Sequence, residues 1–162
     1  MRAISFLCLL IIIVCFVGCK QSSSQKDMAE DEITVPTENL MGTSRCDLQP
    51  SIIILGDSTR FTKDLIYRFL YAFDSSCTRN VEFSEISNEA LFIALHQNPN
   101  MVIQVLSKND DLKLDFILIQ IANPISDRFD LGKLKQAILS ADNCQNVRRQ
   151  VSKALQEARE KV

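Results

Sequence analysis

The sequence predicts an α/β domain, a three-layer sandwich around a mixed sheet with the element order β-α-β-α-β-β-α-α. Three observations carry that prediction. Short β-branched or alternating apolar runs occur at 51–55, 81–86, 101–106 and 112–121. Apolar residues at helical spacing lie between and after them. Gly, Asn, Asp and Pro punctuate the changes of pattern.

Taken in order, SIIIL at 51–55 is a β-branched run closed by Gly56 and reads as a buried strand. Asp57, Ser58 and Thr59 are helix-cap residue types. The helix they introduce carries Phe61, Leu65, Ile66, Phe69, Leu70 and Phe73 on one side and Lys63, Asp64 and Arg68 on the other. Residues 81–86 alternate as a second strand. Ser87 and Asn88 open a short apolar helix over 89–96, stopped at Asn98-Pro99. The runs at 101–106 and 112–121, joined by the turn chemistry of Lys108-Asn109-Asp110-Asp111, read as a β-hairpin. In its second arm Ile117, Ile119 and Ile121 alternate with Phe116 and Leu118, which predicts that both faces are covered. Asn123-Pro124 ends that arm. Ser126, Asp127 or Asp130 caps a further helix bearing Phe129, Leu134, Ala137, Ile138 and Ala141, and a last helix over 147–161 aligns Val147, Val151, Leu155 and Ala158.

Strands alternating with helices predict a parallel first half, to which the hairpin adds an antiparallel edge. This order of elements is similar to that of the thioredoxin fold and equally compatible with other three-layer α/β sandwiches. The Cys-x-x-Cys of thioredoxin chemistry is absent.

The domain so predicted spans 46–162. It holds 14 Lys and Arg against 15 Asp and Glu, a balance unlike the basic surface of a nucleic-acid binder. Upstream, 20–45 is rich in Ser, Gln, Glu and Asp, with isolated apolar residues, and reads as a flexible linker. As a coil its typical reach is roughly 25–30 Å. A spacer role fits this composition, and a partner-binding segment around Ile33 and Leu40 is the alternative.

The first residues are of a different kind. Arg2 supplies a positive start, and 4–17 is an apolar stretch of secretory length, interrupted only by Ser5 and too short to span a bilayer. Phe16, Val17 and Gly18 stand directly before Cys19. That ending resembles the lipobox of bacterial lipoproteins, with Phe16 in place of the usual Leu or Val. The resemblance implies a signal peptide over 1–18, cleavage before Cys19, and acylation of the Cys19 thiol. By the same resemblance Lys20 points to the outer membrane, facing the periplasm; an inner-membrane anchor or the cell surface stays open. More than one acyl chain makes such anchoring stable.

Of six cysteines, Cys8 and Cys15 leave with the leader, so Cys46, Cys77 and Cys144 remain beside Cys19. An oxidising compartment permits a bridge. Cys46 precedes the first predicted strand and Cys77 follows the helix returning from it, so a right-handed βαβ unit puts both at one edge. The expected disulfide is therefore Cys46–Cys77, with Cys144 free or buried; three reduced thiols are the alternative. No Cys or His pair has metal-ligand spacing, and neither a metal nor a cofactor is expected.

Leu55-Gly56-Asp57-Ser58 resembles the first block of the GDSL/SGNH hydrolases, which implies Ser58 as nucleophile. The His that family carries near its carboxyl end, with an Asp three residues before it, has no counterpart. His96, the one histidine, lies mid-domain. A strand-to-helix turn with a cap explains the same residues. Asp57 could instead hold a cation or ligand at the sheet edge. On the last helix Arg148, Arg149 and Lys153 form a basic face for a partner or anionic headgroups, should the apolar stripe beside them be exposed. The expected function is a non-enzymatic envelope lipoprotein, attached to the bilayer by acylated Cys19 and binding or assembling another envelope component. A degenerate hydrolase at Ser58, or a redox or small-ligand module using Cys144, is the alternative.

Overall fold

Among the described residues there are seven α-helices and one 3₁₀ turn, and no strand. The computed structural model describes residues 44–57, 61–141 and 144–161. The helices are α1 (Gln49–Gly56), α2 (Lys63–Tyr71), α3 (Val81–Gln97), α4 (Pro99–Lys108), α5 (Leu114–Ile121), α6 (Leu131–Leu139) and α7 (Gln145–Arg159), with the 3₁₀ turn Ser75–Arg79 before α3. The expected α/β sandwich is overturned, and with it the mixed sheet and the thioredoxin-like order.

Each predicted strand fails for a local reason. The run at 51–55 belongs to α1, opened by a proline in its first turn. Helical geometry buries Pro50, Ser51 and Ile54 and leaves Ile52 half-exposed. Residues 81–86 are the first turns of α3, whose start is fixed by Asn80: its side-chain oxygen accepts the Phe83 N–H at 3.0 Å. The supposed hairpin is α4 and α5, its turn at 109–111 joining two helices. In α5, Ile117 and Ile121 lie one turn apart and are buried, whereas Ile119 between them is 55% exposed. A spacing of four satisfies a helix and a strand alike, and packing decided for the helix.

The helices expected from periodicity are present at α2, α6 and α7. Their caps are Thr62 for α2, which accepts the Leu65 N–H, and Asp130 for α6, which accepts the Lys133 N–H. Thr62 replaces the expected Asp57, Ser58 and Thr59. Pro99 both ends α3 and opens α4, as its missing N–H allows at a first helical position.

α3 is the central element, packed by α1, α4, α5 and α6 and by the 3₁₀ turn. Its stretch Ala90, Leu91, Phe92, Ala94 and Leu95 is buried nearly all round, the pattern of an interior helix. Around it stand Phe69 of α2 and Phe73 just past it, Ile103 of α4, Ile117 and Ile121 of α5, Ile138 of α6 and Leu155 of α7. Phe73 bridges Phe69 and Phe83 edge-on, at centroid distances of 5.2 and 6.0 Å. α7 packs mainly on α6 and α5, with Val147, Val151, Leu155 and Ala158 buried.

Candidate functional site

Two corners of this bundle concentrate polar side chains, one where the chain enters and one where α5 meets α7. At the entrance, Cys46 and Cys77 are joined by a disulfide, with Cα atoms 5.5 Å apart. The reason differs from the βαβ edge foreseen. Cys77 is buried on the 3₁₀ turn beside Ala72 and Phe83, and Cys46 meets it because its N–H donates to Ala72 O at 2.9 Å. Cys46 holds a left-handed backbone (φ 61°), a conformation that costs a non-glycine residue about 1–2 kcal/mol.

Arg45 reinforces that closure. Its guanidinium donates to Tyr71 O at 2.6 Å, Phe73 O at 3.3 Å and Asp111 O at 3.2 Å, and lies 3.8 Å from the centre of the Tyr71 ring. Asp74 adds a distant ion pair at 3.9 Å. The Tyr71 carbonyl, left over at the end of α2, and the Phe73 carbonyl just beyond it thereby find a donor. Next to this hub, Tyr67 Oη donates to Asp111 Oδ2 at 2.6 Å, which raises the Tyr67 phenol above its ordinary value, with some burial adding to it. Hydrogen bonds from the Ser76 backbone and side chain hold the Asp74 carboxyl below the usual carboxylate range, and Arg45 helps. An open cleft of about 460 Å³ lies alongside, lined by Asp74, Lys113, Asp115 and Phe116 among others.

The second corner is organised by Asn88, a buried residue in the middle of α3 rather than the helix opener foreseen. Its amide nitrogen donates to Gln120 O at 3.0 Å and Asn123 O at 3.3 Å, and its oxygen accepts the Ile125 N–H at 3.0 Å. From outside, Lys161 Nζ donates to Ala122 O and Asn123 Oδ1 at 2.9 and 2.8 Å. The irregular backbone after α5 is thus held by two side chains. Between α5 and α7 runs a groove of about 330 Å³ with Leu118, Ile119, Ala122 and Ala154 as its apolar lining. Gln150, Lys153, Glu157 and Lys161 supply its polar side.

The residues singled out from sequence are dispersed. Asp57 caps the end of α1, its N–H donating to Ile53 O at 3.0 Å, so its position is a helix terminus and not a sheet edge. Ser58 lies outside the described residues, as does Cys19. The first residues of the hydrolase motif, Leu55 and Gly56, end α1, where a nucleophile of that kind needs a strand. A Cβ on Gly56 would meet nothing within 4 Å among the described residues, so no close approach demands glycine there. His96 is exposed in the last turn of α3.

Cys144 carries a free, half-buried thiol at the start of α7, with φ 56°, and its sulfur accepts the Ser107 hydroxyl at 2.8 Å. The basic face divides. Arg148 turns back to donate to Ala141 O at 2.7 Å, tying α7 to the end of α6. Arg149 is exposed, and Lys153 reaches the α5–α7 groove while pairing with Glu157 at 3.8 Å. The apolar stripe beside them is buried, so it offers no docking face of its own.

Sequence reading missed Arg45, Asn88 and Lys161. Arg45 stood at the end of a polar stretch and looked like linker. Asn88 had one usable signal: in a helical register it falls among Leu91, Ala94 and Leu95, and a polar residue on a buried face needs partners. Neither a family model, a curated protein nor a solved structure matches this chain.

Proposed function

We propose that this chain is a bacterial envelope lipoprotein, held in a bilayer by acylated Cys19, whose helical domain is a non-enzymatic module that binds or assembles another envelope component. The observation that carries this reading is the order of a positive start, a short apolar run and Val17-Gly18-Cys19. The Cys46–Cys77 disulfide supports it, because such bridges persist in oxidising compartments. The lipidated cysteine and the linker over 20–45 would confine the domain to the bilayer's neighbourhood, most simply the periplasmic face of the outer membrane. Whatever it binds must be met within that radius.

Metabolic labelling with palmitate tests the anchor. Wild type should carry label and fractionate with membranes, whereas Cys19→Ser should lose the label and accumulate as uncleaved precursor. An unlabelled wild-type protein in the soluble fraction would refute the reading.

A further inference from the structure

We propose that the α5–α7 corner is an interfacial lipid-binding face, by which the domain rests against the anionic surface of the bilayer that holds its anchor. This rests on the lipoprotein reading above. Ile119 on α5 lines that groove and is 55% exposed, and Ile125, two residues after the Asn123 that Lys161 holds, is 57% exposed. They flank the backbone at Ala122 and Asn123 that Lys161 grips. Lys153 lines the same groove, and Arg149 stands exposed one turn earlier on α7. Apolar side chains set among cations match the boundary between acyl chains and anionic headgroups, where lysine stems bury and ammoniums meet phosphates.

The charges support that occupant. Among the residues lining the groove Lys153 and Lys161 outnumber Glu157, and the exposed Lys153–Glu157 pair is weak enough to yield Lys153 to a phosphate. Lys161 spends two of its three N–H donors on Ala122 and Asn123 among the described residues. Asn88 braces the corner from within, so presenting the isoleucines requires no ordering of the loop on contact. The 26 residues from Lys20 to Arg45 are the chain available between Cys19 and the domain. A surface kept that close to lipid needs only modest intrinsic affinity, because attachment makes the second contact intramolecular.

The probe is a set of vesicles, either pure phosphatidylcholine or containing about 30 mol% phosphatidylglycerol, a typical anionic fraction for such tests. Sedimentation would use the mature chain, 19–162, carrying Cys19→Ser so that no acyl chain contributes. Binding should be at least about tenfold stronger on anionic vesicles and fall as salt rises. Arg149→Glu/Lys153→Glu should lower it about tenfold or more, and Ile119→Ser/Ile125→Ser comparably, with helical circular dichroism retained. Ile52→Ser on α1 should leave it unchanged. No preference for anionic vesicles, or a preference indifferent to the α5–α7 substitutions, overturns the proposal. That includes the result in which the face serves a protein and ignores lipid. Palmitate labelling of Cys19 in wild type is read separately, so loss of the anchor and loss of the face are distinguishable outcomes.

Discussion

The corner where the chain enters and the corner between α5 and α7 both consist of irregular backbone, yet they are held by different means. At the entrance a covalent bond and a guanidinium share the work: Cys46 is bridged to Cys77, and Arg45 gathers the Tyr71, Phe73 and Asp111 carbonyls. At the other corner the holding groups are side-chain amides and an ammonium, Asn88 from the buried side and Lys161 from the exposed one. The first arrangement closes a loop over α1 and α2 with a covalent bond. The second arrangement leaves apolar side chains exposed on a fixed backbone, the requirement of a contact surface.

The comparison can be broken most forcefully at the entrance. Replacing both Cys46 and Cys77 by Ala should lower stability by about 3–4 kcal/mol, the chain-entropy value for a loop of this length, read as a lower urea midpoint. A midpoint shift well under about 1 kcal/mol would mean that Arg45 and the small core of Ala72 and Phe83 already hold the entrance. Asn88→Ala comes next, at about 2–3 kcal/mol, since it removes the partner of two part-buried carbonyls and one part-buried N–H. Hydrogen exchange should then rise over 120–125 and stay unchanged around Cys77. Arg45→Ala should cost about 1–2 kcal/mol, and Arg45→Lys should recover little of it, because one ammonium cannot reach three carbonyls and cover the Tyr71 ring.

The smallest effects are titrations. Tyr67 is raised in the folded state, so its contribution is complete below its ordinary value of 10.0 and is lost as pH rises through the higher folded one. Tyr67→Phe should remove that alkaline dependence, measured as urea midpoints across pH 9–12. Asp74 and Asp130 are both lowered, so their contributions are present above 3.8 and disappear as pH falls below it. Asp130→Asn, which keeps a capping oxygen for Lys133, should blunt only the acid-side loss.

How far the sequence revealed this fold depends on the helix concerned. α2 and α7 were legible because their apolar residues form one stripe with charges opposite, a pattern that a strand cannot produce. α1 and α5 were not, since runs such as Ile52-Ile53-Ile54-Leu55 and Phe116-Ile117-Leu118-Ile119 contain no polar residue to mark a period. β-branched side chains then tipped the reading toward strands, and packing against α3 and α7 overrode that preference. α3 was split in two because its first turns are polar while its middle, from Ala90 to Leu95, is buried nearly all round. Of the sites, the cysteine pairing could be reached from compartment and spacing, though the topology argued for it was wrong. The Asn88 brace was out of reach, because its partners are backbone atoms at 120, 123 and 125, brought together only by tertiary packing.

The most direct test of the account is the intact mass of the protein extracted from membranes, read with and without reductant after thiol alkylation. The account predicts a chain beginning at a diacylglyceryl-modified Cys19, with one alkylatable thiol (Cys144) before reduction and three afterwards. A chain that retains the leader, or a mature one whose Cys19 takes up the alkylating reagent, would contradict it.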